Sequence, residues 1–185
     1  MLKPDRKIKK TEFINYMKEY LANVAIGAST LRNQGAPKVA KKAREFLMNR
    51  DLSVLRKIKP SQYPKLLERW TKQLMTSFPK GAKKNWGAAR KALNLFFNQV
   101  FMNKYLGKEY GVAKFGDVFE TPLDSQARKF LQEKAGKGKL CAWHTIKGLK
   151  PEQSACYQEF ASVFAKKKGI PRVCLDIMIW RKRKK

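Results

Sequence analysis

The 185-residue sequence has one histidine, three cysteines and only 14 acidic residues. Cys141, Cys156 and Cys174 are odd in number and far apart, with no C-x-x-C, and the lone His144 adds no cluster to them. A zinc finger, an iron–sulfur cluster and a disulfide framework are excluded on that pattern. No metal or other cofactor is expected. Reduced thiols in an intracellular compartment is the reading that remains, in the cytoplasm and nucleoid or in a nucleus. A single histidine also argues against Ser-His-Asp or Cys-His chemistry. No apolar run is long enough for a transmembrane span. The start, Met1 to Lys7, has no apolar stretch after its charges, so no signal peptide is expected. No long repeat recurs, which excludes a solenoid.

Against those absences stand 42 lysines and arginines and a formal net charge of +28. The 43% hydrophobic content is too high for a disordered basic tail. The length suits one domain with one sizeable core. So large a charge repels itself unless a polyanion is the partner. Nucleic acid fits that role ahead of a membrane surface.

The hydrophobic pattern is helical almost throughout. Phe13, Ile14, Met17, Tyr20, Leu21 and Val24 recur at spacings of three and four between Thr11 and Val24. Gly27 to Thr30 breaks that run, and Ala36–Asn49 repeats the pattern with Val39, Ala43, Phe46 and Leu47. A third helix starts at Pro60 and ends at Phe78-Pro79-Lys80-Gly81. Trp86–Leu106 is the longest helical run. After Gly111 the pattern loosens, and Phe115–Pro122 is irregular or extended. Asp124 or Thr121 then caps a helix through Leu131. Ala135 to Lys139 is a flexible basic loop, Pro151 opens a helix to about Lys168, and Arg172–Trp180 is a short helix or strand. Arg181 to Lys185 is a solvated basic tail.

Three constellations can carry chemistry. The first is the turn between two helices that holds Lys80, Gly81, Lys83, Lys84 and Gly87. A helix N-terminus offers free N–H groups to a phosphate, and glycines allow close approach. That is the logic of a helix–hairpin–helix DNA grip, although an ordinary αα-hairpin with a lysine-rich turn has the same composition. The second is Lys91 with Asp124. Lys91 has Ala88, Leu95 and Phe96 on its side of the helix, and partial desolvation in a strongly basic chain favours the neutral, nucleophilic amine. An amine and a carboxylate suit C–N cleavage at a sugar. Read in isolation, they are a solvated helix lysine and an N-cap. The third is Leu175 to Trp180, where Asp176 and Trp180 share a helix face at a spacing of four. An acid that accepts from a base edge, beside an indole that stacks on it, makes a pocket for an extruded base. A core tryptophan and a capping aspartate are the plain alternative.

Taken together, these segments resemble the helix–hairpin–helix DNA glycosylase superfamily, and most of all its archaeal 8-oxoguanine (GO) glycosylase branch. Ala89-Arg90-Lys91-Ala92-Leu93-Asn94-Leu95-Phe96-Phe97 is similar to the family helix that bears the catalytic lysine. Pro122-Leu123-Asp124 resembles its Pro-Val-Asp segment, and Gly169-Ile170-Pro171 through Leu175-Asp176 to Trp180 resembles its closing segment. The three lie in the family's order, with 33 residues from Lys91 to Asp124. Departures are present too. Phe78-Pro79-Lys80-Gly81-Ala82 stands where the superfamily has Leu-Pro-Gly-x-Gly, and the four-cysteine loop of some relatives is missing.

The resemblance implies an all-α fold in one domain, with two helical lobes and a DNA cleft between them. Lobe B spans about 60–140; lobe A spans about 1–59 plus 141–180, followed by the tail at 181–185. It further implies base flipping, a lysine Schiff base and strand nicking at the abasic site. Lys91 is then the nucleophile and Asp124 its electrostatic and acid/base partner. Trp180 and Asp176 line the base pocket, and Gln34 reads the base. The partner is double-stranded DNA carrying a damaged base, and the protein acts as a monomer away from membranes. Two further readings stay open: a non-enzymatic basic helical DNA-binding protein, architectural or recombinase-like, and an RNA-binding protein without RRM or KH signatures.

Overall fold

The computed structural model describes residues 7–27 and 29–182. Among them are nine α-helices and no strand, as the periodicity predicts: α1 Lys10–Ala25, α2 Val39–Met48, α3 Val54–Lys57, α4 Tyr63–Ser77, α5 Trp86–Met102, α6 Lys104–Tyr110, α7 Ser125–Ala135, α8 Pro151–Lys167 and α9 Leu175–Lys182. Among the described residues no helix is long and apolar enough to cross a membrane. The expectations for the first six residues and for tail residues 183–185 lie outside the described part. Arg181 and Lys182 continue α9.

Several boundaries move for local reasons. The long run from Trp86 breaks at Asn103, whose backbone is extended and whose side chain accepts from Leu106 N–H to start α6. The apolar stripe continues through this break, so periodicity alone reads one helix. Pro60 opens a 3-10 turn, Pro60–Gln62, that leads directly into α4. Asp124 caps α7, which runs on to Ala135 rather than stopping at Leu131. The closing segment is a 3-10 turn, Arg172–Cys174, followed by α9, and not a strand.

The buried side chains form two clusters. The larger runs from Leu21 to Phe119 and includes Val173. At its centre, Tyr63 packs against Phe97, Phe115 and Phe119 with ring centroids 5.6, 5.7 and 4.7 Å away. Trp70 stacks on Phe97 and Phe115 stacks on Phe119. The smaller cluster runs from Leu123 to Ile179 on α7, α8 and α9, with Trp143 edge-on to Tyr157. Residues 21–55 pack with α4 and α5, and residues 123–131 pack with 143–179. Most of the first cluster precedes residue 120 and most of the second follows it, but Val173 belongs to the first, Trp86 of α5 packs on the second, and Ile146 packs on both.

Polar contacts sew the seam between the cores. Asn98 Nδ2 donates to Val173 O at 2.8 Å, and Val173 N–H donates to Gly116 O. Arg172 donates to the carbonyls of Phe119, Val118 and Gln158. Burial is the main influence on its guanidinium pKa, which it lowers, and the nearby Glu120 carboxylate opposes that shift. Gln158 clasps the backbone of Thr121 from both sides, accepting from its N–H at 3.0 Å and donating to its carbonyl at 2.8 Å.

Candidate active site and nucleic-acid interface

The hairpin is residues 78–85, between α4 and α5, with a 3-10 turn at Lys80–Ala82. Phe78 and Ala82 are buried and anchor it, which leaves Lys80, Lys83 and Lys84 exposed at its tip. Asn85 is the N-cap of α5. Its Oδ1 accepts from Ala88 N–H, and its Nδ2 donates to both the backbone carbonyl and Oε1 of Gln34, at 3.1 and 3.0 Å. Gln34, expected to read a base, is therefore seated on the hairpin at the start of the Lys91 helix.

The hairpin glycines serve packing. A Cβ on Gly81 would run into the carbonyl of Gly35, and one on Gly35 would run into that of Gly81. Gly87 is buried, and a Cβ there would meet the carbonyl of Ile146. Chain, not solvent, occupies the space beside this glycine, which was expected in the phosphate grip. A glycine in a basic turn reads the same way in sequence whether a phosphate or a peptide group comes close.

Lys91 lies in the second turn of α5, half-buried, and its Nζ donates to the carbonyl of Thr30 at 3.3 Å. Its neighbour Arg90 is 11% exposed and makes a forked pair with Glu120 at 2.9 and 3.0 Å. Arg90 also donates to Glu68 and to Thr71 Oγ1 and lies over the Trp86 ring. Asn94, one turn on, donates to the same Glu120 carboxylate at 2.9 Å. The buried Tyr63 hydroxyl is held well above the usual tyrosine range, by burial first and by Glu120 second.

Asp124 stands four residues beyond Glu120. Its Oδ1 accepts from Gln126 and Ala127 N–H at 2.9 Å, which makes it the true N-cap of α7. Four residues of chain span at most about 14 Å, so the Arg90–Glu120 pair keeps the start of α7 near the α5 turn that bears Lys91. Thr121, clasped by Gln158, holds the intervening segment. Asp176 and Trp180 lie on α9, which packs on α7 through the second core. Asp176 is half-buried, whereas Trp180 is 51% exposed, an uncommon place for an indole and not that of a core tryptophan.

Glu120, Asn85, Gln158 and Arg172 organise this region, and the last three have no sequence signal of their own. Glu120 is an acid in a basic chain directly before Thr121-Pro122, and that placement was the one available hint. The cysteines are also closer than their spacing suggests. Cys141 N–H donates to Cys156 Sγ at 3.2 Å, and this neighbouring thiol raises the pKa of Cys141. Among the described residues no three His, Cys, Asp or Glu side chains gather where they could hold a metal ion. Comparison of the chain with protein-family models, with curated proteins and with solved structures finds no match to any of them.

Proposed function

We propose that this protein is a DNA glycosylase with abasic-site lyase activity, excising a damaged or modified base from duplex DNA, with 8-oxoguanine the first substrate to try. The observation that carries the proposal is the Arg90–Glu120 pair, which ties the helix of Lys91 to the short segment that ends at Asp124. An amine and a carboxylate fastened to either side of one ion pair suit attack at an anomeric carbon.

The chemistry follows from the groups. The target base leaves the stack and enters a pocket in which Trp180 stacks and Asp176 accepts from its edge. Lys91 Nζ attacks C1′ with its lone pair. The glycosidic C–N bond breaks, and the base leaves with the bonding electrons and takes up a proton. Asp124 stabilises the positive charge that develops on the sugar. Opening of the sugar ring leaves an imine between Lys91 and C1′, and β-elimination of the 3′ phosphate nicks the strand. Asp124 moves the protons for these steps. Seated on Asn85 at the start of the same helix, Gln34 contacts the base.

A non-enzymatic DNA-binding protein is the rival, and the exposed lysines of the hairpin tip favour it equally. Borohydride separates the two, because it reduces an imine to a stable protein–DNA adduct. Lys91→Gln abolishes the adduct and the nick but retains most duplex binding, since one charge among 42 is a small part of the electrostatic attraction. Lys84→Gln still traps. No adduct on duplexes carrying 8-oxoguanine, an alkylated purine, uracil or a bare abasic site sinks the lyase and leaves the binder. Equal trapping without Lys91 moves the nucleophile elsewhere.

A further inference from the structure

The acidic residues are distributed unevenly. Residues 20–44, 69–108 and 134–151 contain no aspartate or glutamate at all, although they hold many of the lysines and arginines. In sequence these stretches are far apart. In the fold they meet. The loop before α2 rests on the hairpin through the mutual approach of Gly35 and Gly81 and through Gln34 and Asn85. The 3-10 turn Ile146–Gly148 rests on the start of α5 at Gly87. Lys147 Cε lies 3.6 Å from the place a Gly35 Cβ would take, so the third stretch touches the first.

Where they meet there is a groove of about 500 Å³, lined by Arg32, Lys38 and Lys147 together with Gly35, Ala36 and Pro37. Among the described residues none of these three cations enters a salt bridge, nor do Lys80, Lys83 and Lys84 at the adjoining hairpin tip. All six are exposed. Asn33 and Lys38, the two non-glycine residues with positive φ among the described ones, both border the groove. No aspartate or glutamate lines the groove or stands in the hairpin tip, so these six cations have no carboxylate among them. A polyanion supplies the counter-charge.

We propose that this groove is a second phosphate-binding site, which takes the sugar–phosphate backbone of duplex DNA through Arg32, Lys38 and Lys147, beside the hairpin. It deepens the DNA reading above, and it does not depend on the Lys91 chemistry. Arg32 offers a planar fork for two phosphate oxygens, while the two lysines act as point charges.

The test compares two triple variants of the full chain with equal charge loss. One is Arg32→Gln/Lys38→Gln/Lys147→Gln. The other is Lys166→Gln/Lys167→Gln/Lys168→Gln, three exposed lysines at the far end of α8. A labelled undamaged duplex is titrated with each over a salt series. Neutralising one phosphate contributes about 0.9 to the slope of log affinity against log salt. The groove triple is expected to flatten that slope by about 2–3 and to weaken binding at least tenfold more than the α8 triple. Equal slopes and affinities for the two triples overturn the groove. A loss that appears only with an RNA duplex of the same sequence overturns the DNA assignment. Borohydride trapping reports separately: absence of trapping with the slope change present sinks the glycosylase and leaves the groove, and the reverse result does the opposite.

Discussion

The two cores of this molecule are held together by different means. The first buries stacked aromatic rings and, at its edge, charges: Glu68, Arg90 and Glu120, with Asn94 completing the set. The second is smaller, and several of its polar side chains bond to main chain. Arg128 donates to the carbonyls of Trp143 and His144, Gln153 to that of Ala142, and Gln158 clasps Thr121. Side-chain bonds to main chain staple loops in place, one loop at a time. A forked charge pair fixes distance and angle together, and its removal leaves a charge stranded. The candidate residues divide along the same line. Lys91, Gln34 and the hairpin belong to the first core, and Asp124, Asp176 and Trp180 to the second. The geometry of the proposed site is therefore a property of the seam, and few residues set it.

The largest effect is expected from Glu120→Ala. Arg90 and Asn94 lose their carboxylate, and a guanidinium that is 11% exposed is left without its forked partner. Breaking a buried pair from one side costs about 3–5 kcal/mol. In a chain of this size that lowers the melting temperature by roughly 6–20 °C. Gln158→Ala strands a peptide N–H and a carbonyl instead, at about 1–3 kcal/mol. Thermal melts of the two variants rank the seam's two kinds of tie. If Gln158→Ala proves the more costly, the charge pair is not what holds α5 to the segment before Asp124.

Gly87→Ala comes next. Its added Cβ meets the backbone carbonyl of Ile146, which has no flexible end to swing away. Overpacking of this kind costs about 1–3 kcal/mol. Gly148→Ala, in the turn that follows Ile146, meets nothing closer than 3.5 Å and is expected to stay within about 0.5 kcal/mol of the parent. Urea unfolding of the pair checks the difference. Equal stabilities would mean that the turn can shift away from α5, and the seam there is loose.

The helices were legible because their apolar stripes are local. So were the hairpin and the N-cap at Asp124, each signalled within a few residues. The break at Asn103 was not, since Leu106 continues the stripe and one extended residue leaves no mark in a periodicity. Which helices share a core was hidden for another reason. Periodicity tells that a face is buried but not against which partner. Polar residues were the hardest. Gln158 and Asn85 have the same side chains as any solvated glutamine or asparagine, and their partners lie 37 and 51 residues away. The groove beside the hairpin shows the same limit from the other side. Its three acid-free stretches are visible in the sequence, but their meeting is a fact of the fold.

Trp180→Ala is expected to have the smallest effect on the fold and a selective effect on function. The indole is 51% exposed, so its loss should leave stability within about 0.5 kcal/mol, in contrast to the seam variants. Stacking of a base on an aromatic ring is worth about 1–3 kcal/mol, or roughly 5- to 150-fold in affinity. That loss should fall on a duplex containing the target lesion and spare undamaged duplex, for which the phosphates carry the binding. The measurement is a pair of titrations at one salt concentration, with and without the lesion. A large drop in melting temperature would mean that Trp180 supports the second core despite its exposure. Equal weakening on both duplexes would place it on the general DNA surface. Only the selective loss joins the exposed end of the second core to base recognition, and so to the amine that the first core supplies.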